Sequence, residues 1–430
     1  MKKCAAIILA AGKGIRMKSR LPKALCRLSG RPMIDFLINA ARKSNISDIL
    51  VVGGYGIALL REALAGQELK IIRQKRLLGS ADAVKEAATR FKNFNGIILV
   101  LYADTPLITS TTIKAMIKKH TNTRADVTLL SAEVSDPKEY GRITRDEKRN
   151  ICGIIEHTDI TSTISGHQTP KTEINAGAYC FNAKKLFKGL SCIKKNKVKG
   201  EYYLTDIIDY FYEKGGKVNS YITKDVDEAL GINSRQDLHA AEGILRNRIT
   251  DKLLSSGVTI KDIESTHIEE GVKIGRETII YPFVVIERGV VIGSYCKIGP
   301  FAHLRRGTVL AKGACVGNYV ETVRSSIGQG SRAKHHSYIG DTDVGKGVNI
   351  GAGTITANYD GKHKNRTIIR DQAFIGSGTT IVAPVEIGKK AITGAGSVVV
   401  KGKNVLPGSI VVGVPARPLS SKNRFKKKKY

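Results

Sequence analysis

Between residues 268 and 316 every sixth position is aliphatic: Ile268, Ile274, Ile280, Ile286, Ile292, Ile298, Leu304, Leu310 and Val316. Small or β-branched residues stand two places before most of them, as at Val272, Thr278, Val284, Val290, Ala302, Thr308 and Ala314. The register returns at Ile369, Ile375, Ile381 and Ile387. A period of six with Ile-Gly steps, as at Ile274-Gly275 and Ile298-Gly299, marks a hexapeptide parallel β-helix. Each short strand turns one aliphatic side chain inward, and stacked coils bury what a single repeat cannot. The pattern predicts a prism over residues 258–412, broken by a polar loop near Asn358 to Arg366. At about 18 residues per three-sided coil it holds roughly eight coils.

The first half has a different rhythm. Ala5 to Ala10, Asp48 to Val52, Leu69 to Ile72, Ile97 to Leu101 and Val127 to Ala132 read as buried strands. Met33 to Lys43, Ala58 to Ala65, Ala81 to Phe91 and Thr112 to His120 read as helices between them. Such alternation predicts a Rossmann-like, doubly wound, mostly parallel α/β sheet, with ligands at the strand C-termini. A helix follows from Ser234 to Ser256, with Ser234 and Asp237 at capping-box spacing and Gly257 as its stop. The expected division is an α/β domain (1–233), a linker helix (234–257), the β-helix (258–412) and a basic tail (413–430).

Composition narrows the functional classes. No apolar run approaches a membrane span. Met1-Lys2-Lys3 followed by Cys4 to Ala11 imitates a signal peptide, but the glycine-and-basic loop behind it favours a buried first strand. Seven cysteines without CxxC spacing suit reduced thiols in a cytoplasm and no zinc site. The net charge of +32 could serve a polyanionic substrate, though hardly a whole surface. The absence of Trp and of any nucleic-acid module argues against a nucleic-acid partner.

After the first strand comes Leu9-Ala10-Ala11-Gly12-Lys13-Gly14-Ile15-Arg16-Met17, then Leu21-Pro22-Lys23. A glycine loop leaving a strand brings backbone N–H groups against phosphates, while Lys13, Arg16 and Lys23 supply charge. The spacing is neither a Walker loop nor GxGxxG. Taken alone it fits an anion site and a tight strand–helix turn equally well.

The loop closely resembles that of the sugar-1-phosphate nucleotidylyltransferases. Further segments follow in that family's order: Gln74 with Leu78-Gly79-Ser80-Ala81-Asp82-Ala83, Leu101-Tyr102-Ala103-Asp104, Tyr140-Gly141-Arg142-Ile143 and Ile155-Glu156-His157. Glu173-Ile174-Asn175-Ala176-Gly177, Gly200-Glu201-Tyr202-Tyr203-Leu204-Thr205-Asp206 and Gly231-Ile232-Asn233 complete the set. Together they resemble the bifunctional N-acetylglucosamine-1-phosphate uridylyltransferase/glucosamine-1-phosphate N-acetyltransferase family over nearly the whole chain.

The resemblance implies Mg²⁺ held by Asp104 and Asn233, and charge neutralisation by the catalytic residues Arg16 and Lys23. It implies UTP against Leu9, Ala10, Ala11, Gly12, Lys23, Gln74, Gly79 and Ser80. The sugar would meet Tyr102, Gly141, Glu156, Asn175 and Asn233. Nucleotidyl transfer needs no protein nucleophile, so positioning and charge carry it. Ile15 and Ser80 each stand where the family usually has Thr.

In the prism the resemblance selects His335 as the base for acetyl transfer from acetyl-CoA to an amine, with Glu321 as its orienting carboxylate. A neutral imidazole suits that proton transfer near pH 7. Adjacent His335 and His336 are expected on opposite faces of a strand, so that one at most is central. The acceptor sugar would meet Arg305, Glu321, Tyr338, Asn349 and Lys364; CoA would lie near Ala352, Asn358, Tyr359, Ser377 and Ala395. A homotrimer with sites between neighbours is implied. Val323 replaces a Lys expected on the sugar phosphate, and Gly413 an expected arginine. The prism reads one to two coils short near its start.

The implied function is two-step UDP-N-acetylglucosamine synthesis for cell-wall and envelope glycans. A nucleotidylyltransferase for another sugar, with a regulatory prism, is the competing enzyme; His335, Asn358 and Tyr359 speak against it. A non-enzymatic scaffold joining the same two folds is opposed by Lys23, Asp104 and Asn233.

Overall fold

The computed structural model describes residues 3–157, 171–196 and 200–419. The basic tail beyond residue 419 therefore lies outside the described residues. The chain divides into two compact units, Met1–Ile244 and Leu245–Tyr430.

In the first unit Cys4–Ala10 is a central strand, parallel to Ile97–Tyr102 on one side and Asp48–Gly53 on the other. The apolar run Ala5 to Ala10 is thus sheet core. The strand is apolar throughout because both its faces are covered. Ala6 and Ile8 pack with Ile34 and Leu37 of the helix Met33–Lys43. Ala5 and Ile7 pack on the other face with Val84 and Ile207. Lys70–Arg73 extends the sheet beyond Asp48–Gly53, while Val127–Val134 and Val218–Ile222 lie at the far edge. Thr172–Asn182 runs antiparallel between Ile97–Tyr102 and Val127–Val134.

Most elements read from sequence are present, with one break. The helix expected over Ala81 to Phe91 is two helices, Ser80–Glu86 and Ala88–Phe91, parted at Ala87. The helix Arg235–Ser255 begins with a reciprocal cap. The Asp237 N–H donates to Ser234 Oγ (3.2 Å) and the Ser234 N–H donates to Asp237 Oδ2 (2.8 Å). Gly257 follows at φ +85°.

The second unit is a left-handed parallel β-helix. Its interior is the aliphatic ladder, with Ile280, Ile286, Ile298, Leu304, Ile375, Ile381 and Ile387 almost wholly buried. Each such side chain contributes about 1.5–3 kcal/mol by leaving water. Between the rungs the backbone turns in the left-handed region about every sixth residue, as at Gly289, Tyr295, Phe301, Gly307 and Gly313. Eighteen residues separate Lys297 from its rung partner Cys315. Only seventeen separate Cys315 from Arg332, and seventeen again Arg332 from Asn349. These two coils lose their residue on one face, where left-handed corners at Tyr319 and Arg324, and at His336 and Asp341, stand five apart. The next step, Asn349 to Phe374, takes twenty-five residues because the polar loop lies within it.

Candidate active sites

In the α/β unit the cleft opens at the C-terminal ends of the strands Cys4–Ala10 and Ile97–Tyr102. A cavity of about 760 Å³ is lined by Leu9 to Arg16, Lys23, Gln74, Gly79, Ser80, Tyr102, Asp104 and Asn233. A neighbouring cavity of about 600 Å³ shares Arg16, Ser80, Tyr102, Asp104 and Asn233, and adds Gly141, Glu156 and Asn175. All the residues expected around UTP and the first sugar therefore border one continuous cleft.

Its centre is electrostatic. Lys23 Nζ donates to Asp104 Oδ2 at 2.6 Å and to Asn233 Oδ1 at 2.6 Å. The Ile232 N–H donates to the Asp104 carbonyl (2.8 Å), tying the two oxygen-bearing segments together. Asp237 accepts from the Asn233 N–H (2.9 Å), anchoring Asn233 to the start of the helix. Arg16 lies at the rim, its guanidinium 2.6 Å from Glu139. Ile15 is 76% exposed. That threonine position thus presents an apolar side chain to solvent.

The nucleotide end depends on one glycine. Gly79 has φ +104°, and a Cβ there would fall 2.4 Å from the Tyr202 carbonyl oxygen. Around it the Tyr202 N–H donates to the Leu78 carbonyl (2.7 Å) and the Leu204 N–H to Ser80 Oγ (2.9 Å). Gln74 is buried and donates to the Gly79 carbonyl (3.1 Å) and Asp82 (2.8 Å). Tyr102 bonds to Ser80, and burial raises its phenol pKa. At the sugar end Thr205 donates to Glu156 Oε1 (2.8 Å), while Asn175 donates to the Tyr179 hydroxyl (2.7 Å) and accepts from the Gly177 N–H (3.2 Å). Thr205 and Glu139 hold expected site residues but were not themselves read as such. Their signal lies only in the tertiary contacts.

The prism distributes its candidates differently. His335 follows Asn318 in one row, and the same row runs on through Ala352, Ser377 and Ala395. Asn349 shares that face through its pairing with Arg332. Arg305, Glu321 and Tyr338 lie on the adjoining face, across the corner, where Glu321 is in register with Tyr338. Arg305 donates to Glu321 Oε1 at 2.7 Å. That carboxylate serves Arg305 and stands opposite Tyr338, so an orienting role toward His335 within one chain is not what the register gives.

The two histidines do not take opposite faces. His335 and His336 are both exposed, while Ala333 and Ser337 face inward. His336 has φ +40° and forms the corner, which interrupts the alternation of an extended strand. Opposite faces apply only between corners.

Two features surround the Val323 position. Val323 is only 4% exposed yet lies outside the aliphatic core, since Thr322 beside it points inward to Thr308. Arg324, at the next corner, makes two bonds to Asp341 (2.6 and 2.7 Å), and Asn358 donates to the same carboxylate (2.5 Å). Its partners hold the Asp341 pKa below the ordinary range, the Arg324 hydrogen bond contributing most. The loop closes on itself: Asp360 accepts from the Lys362 and His363 N–H groups (3.0 and 2.7 Å), and the Asn365 N–H donates to the Asn358 carbonyl (2.6 Å). Lys364 pairs with Tyr359 across it.

A doubly wound sheet with a glycine-and-lysine cleft at its strand ends defines a nucleotidyl transferase class, here followed by a hexapeptide prism. The nucleotidyl transferase family matches residues 5–231. The bifunctional protein GlmU of Geobacillus thermodenitrificans is 39% identical, covering 98% of this chain and 98% of its own length. Those of Syntrophotalea carbinolica and Clostridioides difficile are 40% and 39% identical, each covering 92% of both chains. The chain belongs to the bifunctional GlmU family. It is an enzyme with uridylyltransferase and acetyltransferase activity that makes UDP-N-acetylglucosamine.

Proposed function

We propose that the cleft residues divide the uridylyl step as their contacts suggest. The observation that carries this is the convergence of Asp104 and Asn233 on Lys23 Nζ, each 2.6 Å from it, in the middle of the cleft. Asp104 and Asn233 present oxygen atoms to one cationic position, held here by the Lys23 ammonium; with Lys23 turned to the phosphates, the two oxygens suit a hard divalent ion. No group of three or more His, Cys, Asp or Glu is gathered for a metal among the described residues. Mg²⁺ commonly takes one or two protein oxygens and completes its shell with water and substrate phosphates, so this sparse donor set fits. Asp104 and Asn233 would hold Mg²⁺, which when bound supplies positive charge to the triphosphate. Lys23 and Arg16 neutralise phosphate charge as the sugar phosphate attacks the α-phosphorus and pyrophosphate leaves. Gln74, Gly79 and Ser80 hold the uridine end; Gly141, Glu156 and Asn175 hold the sugar.

On the prism, His335 takes the proton from the glucosamine-1-phosphate amine as it attacks the thioester of acetyl-CoA; the N–C bond of the amide forms, the C–S bond breaks, and CoA leaves as its thiol after taking up a proton. The row of small residues Ala352, Ser377 and Ala395 running from His335 supports a path for CoA. Arg305, Glu321 and Tyr338 lie on the other side of the corner, so one chain leaves these three acceptor residues apart from the base, while Asn349 shares the base's face. A homotrimer in which a neighbouring copy brings its second face to the first face's His335 reconciles the two sets. No helix among the described residues is long and apolar enough to cross a membrane, and the reduced thiols suit the cytoplasm. A two-stage assay tests the whole reading: UTP with N-acetylglucosamine-1-phosphate, then acetyl-CoA with glucosamine-1-phosphate, alongside sedimentation for the trimer. Activity without added divalent ion in chelator, or a monomer with full acetyl transfer, would overturn the corresponding part.

A further inference from the structure

One corner of the prism carries a stack of rings. Phe283 and Phe301 lie 4.8 Å apart between centroids with planes 3° from parallel. Phe301 and Tyr319 are 4.9 Å apart at 6°, and Tyr319 and His336 are 5.0 Å apart at 21°. All four are exposed, and all four have left-handed backbones, with φ of 60°, 54°, 54° and 40°. Beyond His336 the corner continues as Gly353, Gly378 and Gly396, at φ 74°, 71° and 70°. The stack therefore ends on the histidine, next to His335.

A left-handed backbone disfavours any residue with a Cβ, so His336 holds that conformation against its own preference. Its ring stacked on Tyr319 is a contact that keeps it there. The conformation of His336 in turn sets how His335 leaves the strand, because three consecutive residues, Lys334, His335 and His336, face outward at this corner. On the other side Ser337 Oγ donates to the His335 carbonyl at 2.8 Å, so the backbone of His335 is held from the residues that follow it.

We infer that His336 is a positioning residue for acetyl transfer: its stacking on Tyr319 locks the corner that aims the His335 imidazole. The inference rests on the reading of His335 as the base. A misaimed base slows the chemical step without weakening binding, and a displacement near 1 Å can cost about a hundredfold.

The test measures kcat and KM for acetyl transfer in the full chain for His336→Ala, Tyr319→Ala, His336→Phe and His335→Ala. Uridylyl transfer in the same preparations serves as the control for folding. His336→Ala and Tyr319→Ala are expected to lower kcat about tenfold, with both KM values within about twofold of the parent. His336→Phe keeps a ring on the stack and is expected to restore most of the rate. The pH dependence of kcat in His336→Phe should match that of the parent, because the titrating base is the neighbour. A His336→Phe enzyme as slow as His336→Ala overturns the inference, as does a rise in KM for acetyl-CoA at unchanged kcat. Full activity in His335→Ala removes the base reading and this inference with it. Loss in His335→Ala with no loss in His336→Ala removes the positioning role alone.

Discussion

In the α/β unit Lys23, Asp104 and Asn233 come from three distant stretches of chain, yet Lys23 Nζ donates to both of the others at 2.6 Å. In the prism Glu321 and His335 stand on neighbouring rungs, yet they lie on different faces. The doubly wound sheet gathers loops from many strand ends over one crevice, so a single chain closes its own site. A solenoid sends every coil outward on three flat faces, and groups on adjoining faces diverge across the corner. A prism therefore gains a concave site by adding an inserted loop, another copy of itself, or both.

The largest test of that contrast is His335→Ala. Acetyl transfer should fall by about two to four orders of magnitude, the usual worth of a general base, while uridylyl transfer stays unchanged. Assaying both reactions on one preparation checks it; equal loss of the two would mean the units are not independent. Asp104→Ala should do the reverse, lowering uridylyl transfer by about two to three orders of magnitude through lost charge organisation. Near-normal pyrophosphate release in that variant would remove Asp104 from the metal assignment.

Gly79→Ala sharpens the comparison at the level of backbone. Its Cβ would meet the Tyr202 carbonyl and its φ is left-handed, so a cost of about 1–3 kcal/mol is expected. Thermal unfolding should show the loss in the α/β unit, with acetyl transfer spared.

The pH response provides another separation. Asp209 is half-buried against Gly153, and burial together with Asp206 and Glu213 raises its carboxyl pKa to about 6. A raised carboxyl pKa favours the folded state when protonated. That contribution is complete below about pH 4 and is lost as pH rises through about 6. Asp209→Asn should therefore stabilise the α/β unit at pH 7 by about 1 kcal/mol, allowing for partial solvent screening, and by less at pH 4. Asp341 and Asp343 on the prism have pKa values lowered chiefly by hydrogen bonds from Arg324 and Arg366. Their contributions run the other way, present above about pH 4 and lost on acidification. Denaturation curves at the two pH values, with parent and variant side by side, decide the sign.

A smaller effect than at His335 or Asp104 is expected at Val323. Arg324 is engaged by Asp341 and Arg305 by Glu321, so neither simply replaces a lysine there. Val323→Lys should lower KM for glucosamine-1-phosphate about tenfold, the worth of one charge-assisted contact, with KM for acetyl-CoA unaltered. A fall in melting temperature without a change in KM would instead assign Val323 to packing.

The six-residue ladder was legible because each coil repeats the same demand on the chain, and Met33–Lys43 because one apolar stripe runs its full length. The cleft residues could be named from ordered segments, but their linkages could not. Thr205 to Glu156 and Arg16 to Glu139 join residues far apart in sequence. The orientation of His335 and His336 departs from strand alternation for a physical reason. Alternation describes extended backbone, and His336 is in the left-handed region. The strand Thr172–Asn182 went unread because its central glycine and irregular pairing near Asn175 blur the period.

The polar loop at residues 358–366 interrupts the prism without altering its rungs. Thr356 still stacks on Ile381, and Val344 on Ile369, as if the intervening residues were absent. That corner behaves as a socket. A segment of another length or chemistry can be grafted there while the coils above and below keep their pairing, so what the prism presents at that corner can be exchanged without redesigning its interior.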